Sequence, residues 1–425
     1  MFLQLRGRLF QALRWSEKYT KTDMVYLASG GFWITIGQVV SSISALALAI
    51  AFANLAPQET YGTYKYLLSL AAIFSIFTLP GMNSAIAQAV AKGDDSIVRP
   101  ALRSRIQWSM LGTLVSFAGG LYYFINGNLE LGSALILIGV TLPFFDTFTL
   151  YNGYLTGKKN FKAETTYHLL SQTISVIFII VTIFLTKNVL LILLAYFMPL
   201  AIVRFFIFKR TTRALPPISK DKKIDISYGK HLSVINILGV IASNVDKILL
   251  WKLLGPVQLA IYSFAVAIPE QARGPFKGLS NIALPKFAAQ PPGSIQLTFR
   301  SFWYKFLMYI ILLFIVSMAY IAIAPTVFKI LFPNYLESVF YSQILAFFLF
   351  TGAQSIPATL LTAYKRTGTQ YILTVSRSTI QIILLFILIP QFGIMGAIFA
   401  IVATNTFNLI TTIVAVVLEH RRGYI

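Results

Sequence analysis

Residues 25–53 carry no Asp, Glu, Lys or Arg, and that uncharged run limits more than any other feature what the chain can become. A helix rises 1.5 Å per residue and the hydrocarbon core of a bilayer is about 30 Å thick, so about 20 apolar residues cross it. Uncharged or sparsely charged runs recur at roughly 66–90, 106–126, 130–155, 165–186, 188–208, 231–251, 257–285, 303–324, 338–361, 368–389 and 393–417. This spacing predicts an all-α membrane protein of about twelve transmembrane helices. Composition agrees, because 57% of the 425 residues are hydrophobic and only 12% are charged. A soluble fold has no interior large enough for that much apolar surface.

The net charge of +21 raises the question of nucleic acid, and the placement of the charge answers it. Of the 35 Lys and Arg, 26 fall in loops and tails on one side of the expected spans, four on the other side, and five within spans. Basic residues accumulate on the cytoplasmic side of membrane proteins, so both termini are expected in the cytoplasm. No basic segment is interleaved with aromatics on a soluble module, and nucleic acid is excluded as a partner. The basic, amphipathic residues 1–23 have no compact apolar core before a small-residue cleavage site, and read as a helix lying on the membrane surface.

The longest polar stretch, "KRTTRALPPISKDKKIDISYGK" at 209–230, divides the helices six and six. The expected organisation is a cytoplasmic segment 1–23, a first lobe 24–208, a cytoplasmic linker 209–230, a second lobe 231–418 and a tail 419–425. An even number of helices per half makes the lobes parallel repeats, and the hairpin turns "LAPQETYGTYKYLLSLA" and "LLGPVQLAIYSFAVAIP" are weakly alike. The external loops are short, the largest being 325–337, which disfavours a membrane enzyme such as a polymerase or ligase. There is no cysteine, and His168, His231 and His420 stand far apart, so no metal site is expected. "GYLTGKKN" from Gly153 lacks the spacing of a phosphate-binding loop. No cofactor is expected.

Ions inside membrane spans carry the functional expectation. "IPEQARGPFKG", Ile268 to Gly278, places Glu270, Arg273 and Lys277 at i, i+3 and i+7, on one face of the eighth helix. Each costs roughly 2.5–3.5 kcal/mol at mid-bilayer. Pro269 and the pair Gly274–Pro275 favour a kink there. Asp246 and Lys247 lie in the expected seventh helix, Asp146 in the fourth and Arg377 in the eleventh. Arg204, near the end of the sixth, is expected to snorkel to the interface. The ions of helices seven, eight and eleven either clamp those helices together or face a cavity. Lys247, Arg273, Lys277 and Arg377 outnumber Asp246 and Glu270 by two, and a positive cavity suits an anion, above all phosphate. Asp146, Asp246 and Glu270 are candidates for charge pairing or for coupling to a proton or sodium gradient. The polar runs 37–44 and Asn83 to Gln88 either pack helices or line the same cavity.

"SNVDKILLWKLLGPVQLAIYSFAVAIP" resembles the second half of Wzx-type polysaccharide flippases, in the multidrug/oligosaccharidyl-lipid/polysaccharide exporter superfamily. "LAPQETYGTYKYLLSLAAIFSIFTLPGMNSAIAQAVAKG" is similar to the N-terminal repeat of that family, and "VFKILFPNYLESVFYSQIL" to its link between helices nine and ten. The resemblance implies two six-helix lobes around a cavity lined by helices one, two, seven and eight, working by alternating access. It also implies an O-antigen or other surface-polysaccharide repeat unit as substrate. Such an oligosaccharide, on undecaprenyl pyrophosphate, would move from the cytoplasmic to the outer leaflet of a bacterial inner membrane, with polysaccharide polymerase machinery as a partner. Arg273 and Lys277 would contact the pyrophosphate, with Lys247 and Arg377 as further candidates. A multidrug exporter of the same superfamily is the alternative, and would call for a net-acidic cavity.

Overall fold

The computed structural model describes residues 24–213, 215, 226–271 and 296–422. Among them the chain is helical without strands. The first half comprises α1 (Met24–Leu55), α2 (Gln58–Phe74), α3 (Met82–Ala91), α4 (Val98–Ile125), α5 (Leu129–Phe145), α6 (Leu150–Gly157), α7 (Phe161–Leu185) and α8 (Val189–Thr212). The second comprises α9 (Ser227–Ala242), α10 (Val245–Leu254), α11 (256–271), α12 (Gln296–Leu331), α13 (Ser338–Phe347), α14 (Ser355–Ala363) and α15 (Thr367–Arg421). Asn128, Asn160 and Asn188 start α5, α7 and α8 by accepting from backbone N–H groups of the first turn. The surface segment expected at residues 1–23 lies outside the described residues, as does most of the linker.

Among the described residues nine helices are long and apolar enough to cross a membrane, or ten when the pair Gln58–Thr78 and Met82–Ala91, bent by 47°, counts as one span. The 55 residues of α15 do not form one rod. Gly393 adopts φ 56° and ψ −130°, a conformation that side chains with a Cβ rarely take. A Cβ on Gly396 would lie 2.0 Å from the carbonyl oxygen of Leu388, whereas eight residues of straight helix would separate them by about 12 Å. The chain therefore turns back on itself, and α15 holds two of the expected spans. The expected eighth span begins as α11, and its remainder lies outside the described residues.

Several spans are interrupted within the apolar layer. Leu79, at φ 55°, separates the α2 span from α3; Asp146 to Thr149 separate α5 from α6; Ser243 and Asn244 separate α9 from α10; and a 3-10 stretch, Phe348–Gln354, separates α13 from α14. Each break frees carbonyls that lipid cannot satisfy. In the first half two arginines satisfy them. Arg105, 1% exposed, donates from Nε to the Thr78 carbonyl at 2.5 Å and from Nη1 to the Asp146 and Thr147 carbonyls at 3.3 Å and to Thr149 Oγ1 at 3.0 Å. Arg204 Nη1 donates to the Phe145 carbonyl at 2.6 Å. Arg204 thus turns inward to the broken helix instead of snorkelling outward. Arg105, which the sequence groups with the loop charges, is an interior ion.

The halves meet through α2 and α3 against α10 and α9, and through the turn after α1. A Cβ on Gly62 would fall 1.8 Å from the Pro256 carbonyl oxygen, so only glycine permits this approach of α2 to the second half. Beside it Tyr61 packs on Phe264 with ring centroids 4.6 Å apart, and Phe264 on Tyr335 at 4.0 Å. Tyr66 stacks on Trp251 at 4.2 Å. Asn54 donates to the Leu331 carbonyl and Asn334 to the Ala53 carbonyl, each at 3.0 Å. At the opposite end Gly81 N donates to Ser233 Oγ at 3.0 Å.

Arg105→Met should leave the Thr78 and Thr147 carbonyls without their donor and the half-buried Asp146 without its cation. A loss of about 1.5–3 kcal/mol is expected, the cost of losing hydrogen bonds to a charged donor, read as a lower melting temperature of the purified protein. An unchanged melting temperature would show that the breaks do not need Arg105.

Candidate functional site

The breaks of the second half surround open space. A cavity of about 510 Å³ lies between Gln38 of α1, Ser243 at the α9–α10 break, Glu270 and Gln271 of α11, Tyr309 of α12, the 3-10 stretch, and Arg377 and Asn405 of α15. A second, of about 360 Å³, adjoins it, lined by Gln370, Gln381, Asn408 and the hydroxyls of Thr362, Thr374, Ser378 and Thr412. Ser243, Gln354 and Arg377 line both. Leu313, Val316 and Leu349 supply an apolar wall. The sizes suit a small-molecule ligand or part of a larger one.

The polar lining is partly held in place. Arg377 Nη2 donates to Asn405 Oδ1 at 3.3 Å, Asn408 Nδ2 to Gln354 Oε1 at 2.7 Å, and Gln381 Nε2 to the Ala242 carbonyl at 3.0 Å, where α9 breaks. Amides and hydroxyls both donate and accept, so this surface can match a ligand rich in hydroxyl groups without needing a charge on it. Arg377 adds a planar donor array fit for a carboxylate or phosphate.

The structure brings together two of the seven ions singled out from the sequence, Glu270 and Arg377, in the larger cavity. Asp246 and Lys247 pair with one another instead. Asp246, 5% exposed, accepts from Tyr262 Oη at 2.5 Å and from Lys247 Nζ at 3.3 Å, and Lys247 also donates to the Ser243 carbonyl at 2.8 Å. Asp146 stands apart in the first half, where it accepts from Thr78 Oγ1 and lies 3.9 Å from Arg105 Nη2. Arg273 and Lys277 lie outside the described residues. With Lys247 balanced by Asp246, the surplus of two positive charges is not seen in the described lining, which holds one cation, Arg377, and one acid, Glu270. Of the polar run 37–44, Gln38 lines the cavity while Ser41 donates to Gln172 Oε1 at 2.8 Å, packing α1 on α7.

A family model described as "Polysaccharide biosynthesis protein" matches residues 27–270, more than half of the chain. The chain belongs to that family. It is thereby a membrane transporter of the multidrug/oligosaccharidyl-lipid/polysaccharide exporter superfamily. Among solved structures it is similar to the MATE multidrug transporter DinF-BH in complex with R6G, at 16% identity and a TM-score of 0.67, over 94% of this chain and 96% of that one. A multidrug resistance MATE family transporter in an outward-facing conformation is similar at 16% identity and a TM-score of 0.58, over 94% and 96%. MATE in complex with MaD5 is similar at 15% identity and a TM-score of 0.62, over 94% and 95%. At these identities the likeness is one of fold. No curated protein matches.

Three residues of this transporter escaped sequence reasoning. Arg105 sits where the charge count places a loop. Gln354, at the end of the 3-10 stretch, has no sequence signal beyond one amide in an apolar run. Lys65 is one of the four basic residues that the charge count places on the side opposite the termini, yet it lies on α2 with its ammonium 5.3 Å from the Tyr61 ring and within electrostatic reach of Glu270. In the sequence Lys65 directly follows "PQETYGTY" and adjoins the apolar run that begins at 66.

Lys247→Met should destabilise this transporter by about 1.5–3 kcal/mol, because Asp246 keeps its charge and loses a charged donor. Adding Asp246→Asn should recover part of that loss. Additive losses in the double variant, measured by thermal melting, would show that the pair is not coupled.

Proposed function

We propose that this transporter is a flippase for an oligosaccharide linked to undecaprenyl pyrophosphate. It would carry the repeat unit of a surface polysaccharide from the cytoplasmic to the outer leaflet of a bacterial inner membrane. The observation that carries this reading is the joined pair of cavities, where amides and hydroxyls offer partners to sugar hydroxyls around Arg377, the one guanidinium among the described lining residues. The family match, whose description concerns polysaccharide biosynthesis, points the same way. In this reading residues 24–208 and 231–418 are two lobes that rock about the cavity, with both termini and the linker 209–230 in the cytoplasm. Arg377 contacts the pyrophosphate. Arg273 and Lys277, which lie outside the described residues, extend that contact in this reading. Lys247 is engaged by Asp246 and takes no part in it.

One observation favours a second reading, a multidrug exporter. Glu270 lines the cavity as an acid with no ion pair among the described residues, and the solved neighbours include multidrug transporters.

Cells lacking the protein should accumulate lipid-linked oligosaccharide on the cytoplasmic face, scored with an impermeant labelling reagent, and restoring the gene should relieve it. Arg377→Glu should insert normally and lower surface polysaccharide by about tenfold or more, equivalent to about 1.4 kcal/mol. Intact polysaccharide together with new drug sensitivity would establish the exporter reading instead.

Transport is proposed to draw on a proton or sodium gradient through Glu270, since Asp146 and Asp246 are already held by partners. In reconstituted vesicles, Glu270→Gln should abolish the response to that gradient while leaving downhill movement. Indifference of the wild type to both gradients would remove Glu270 from this role.

A further inference from the structure

A groove of about 1020 Å³ opens at the end of the molecule where α8 runs into the linker. It lies between the first turn of α4 and the last turns of α8, each of which packs on α5. Arg99 approaches it from α4 and Lys209, Arg210 and Arg213 from the end of α8, and among the described residues no acid lines it. All four are exposed. Arg99 Nη2 donates to the Leu215 carbonyl at 3.3 Å, which ties the chain leaving α8 back to α4 and closes one side of the groove. Phe206, 62% exposed, also lines the groove, one turn back along α8 toward the apolar layer.

Four cations at one mouth of a groove whose wall continues as exposed phenyl surface match a molecule with an anionic head and an acyl tail. Basic pockets between transmembrane helices at the membrane boundary bind anionic lipid headgroups by the same complementarity. We propose that this groove holds the phosphate headgroup of an anionic phospholipid, with an acyl chain lying along Phe206. The site is separate from the cavity at Arg377 and does not rest on the flippase reading. A bound lipid there would brace α8 against α4 at the start of the linker.

The test uses the full-length protein in mild detergent, with phosphatidylglycerol and phosphatidylcholine of the same acyl chains as probes and lipid retention read by native mass spectrometry. Wild type should retain phosphatidylglycerol roughly tenfold better than phosphatidylcholine, the scale set by several surface cations acting together. The triple variant Arg99→Gln, Arg210→Gln, Arg213→Gln should lose that preference, while Arg421→Gln with Arg422→Gln, in the basic pair at the end of α15, should keep it. An unchanged melting temperature of the triple variant in lipid-free detergent separates lost binding from lost folding. Should the triple variant fail to fold, Arg210→Glu alone, at an exposed position, should lower the preference in the same direction. Equal retention of the two lipids, or a preference that survives the substitutions, would overturn the proposal. Displacement of phosphatidylglycerol by millimolar inorganic phosphate would equally overturn it, by showing a site for a free anion.

Discussion

A backbone carbonyl freed inside a lipid bilayer has no water to turn to, and this fold depends on how those carbonyls are satisfied. The spans here are interrupted repeatedly, at Leu79, Asp146, Ser243 and the 3-10 stretch Phe348–Gln354. An unpaired polar group in hydrocarbon costs several kcal/mol, so each break needs a dedicated donor. Arg105 serves two breaks at once and joins them, because its guanidinium reaches both Thr78 and the Asp146–Thr147 peptide. Arg204, Lys247 and Gln381 each donate to one carbonyl at a break, those of Phe145, Ser243 and Ala242. The interior charges are first of all caps for broken helices.

The two halves of the chain use this device with different results. In the first half the donor is almost fully buried and its half-buried acid lies beside it, so the freed carbonyls are satisfied within the protein. In the second half the breaks are capped from their edges, and the space between them stays open to Arg377 and Glu270. A charge that is matched at short range cannot also serve a ligand. Asp246, held by both Tyr262 and Lys247, is in that position, and Arg377, held by one neutral amide, is not.

The proposed alternating access would have to separate surfaces that touch in this conformation. The contact of Tyr61, Phe264 and Tyr335 with the hydrogen bonds of Asn54 and Asn334 seals one end of the interface. Aromatic pairs contribute about 0.5–1.5 kcal/mol beyond their buried area, and neutral hydrogen bonds about 0.5–1.5 kcal/mol net. Such a seal is several kcal/mol deep, within the range that differential ligand binding shifts. Gly62 sets how closely the surfaces meet, since a Cβ there would strike the Pro256 carbonyl.

The sequence by itself determined the solvent of this protein and the class of its fold. Runs of about 20 apolar, sparsely charged residues predict membrane helices, and their order and the similarity of "SNVDKILLWKLLGPVQLAIYSFAVAIP" to a flippase family were legible before any coordinate, whereas the twelve expected compare with nine or ten among the described residues. It also marked which interior residues carry charge, because a charge in an apolar run stands out whatever the fold does with it. Tertiary structure alone decided what those charges face. Arg105 and Asp146 are 41 positions apart and Arg377 and Glu270 more than 100, and helical periodicity relates only residues a few turns apart on one helix. Adjacency in sequence did not indicate the Asp246–Lys247 pair, since neighbours on a helix do not face each other, and its third member, Tyr262, reaches Asp246 only because the chain reverses at Gly255, φ 91°. Whether an ion closes a break or lines a cavity is settled by which helix packs against it, and that is a property of the assembled fold.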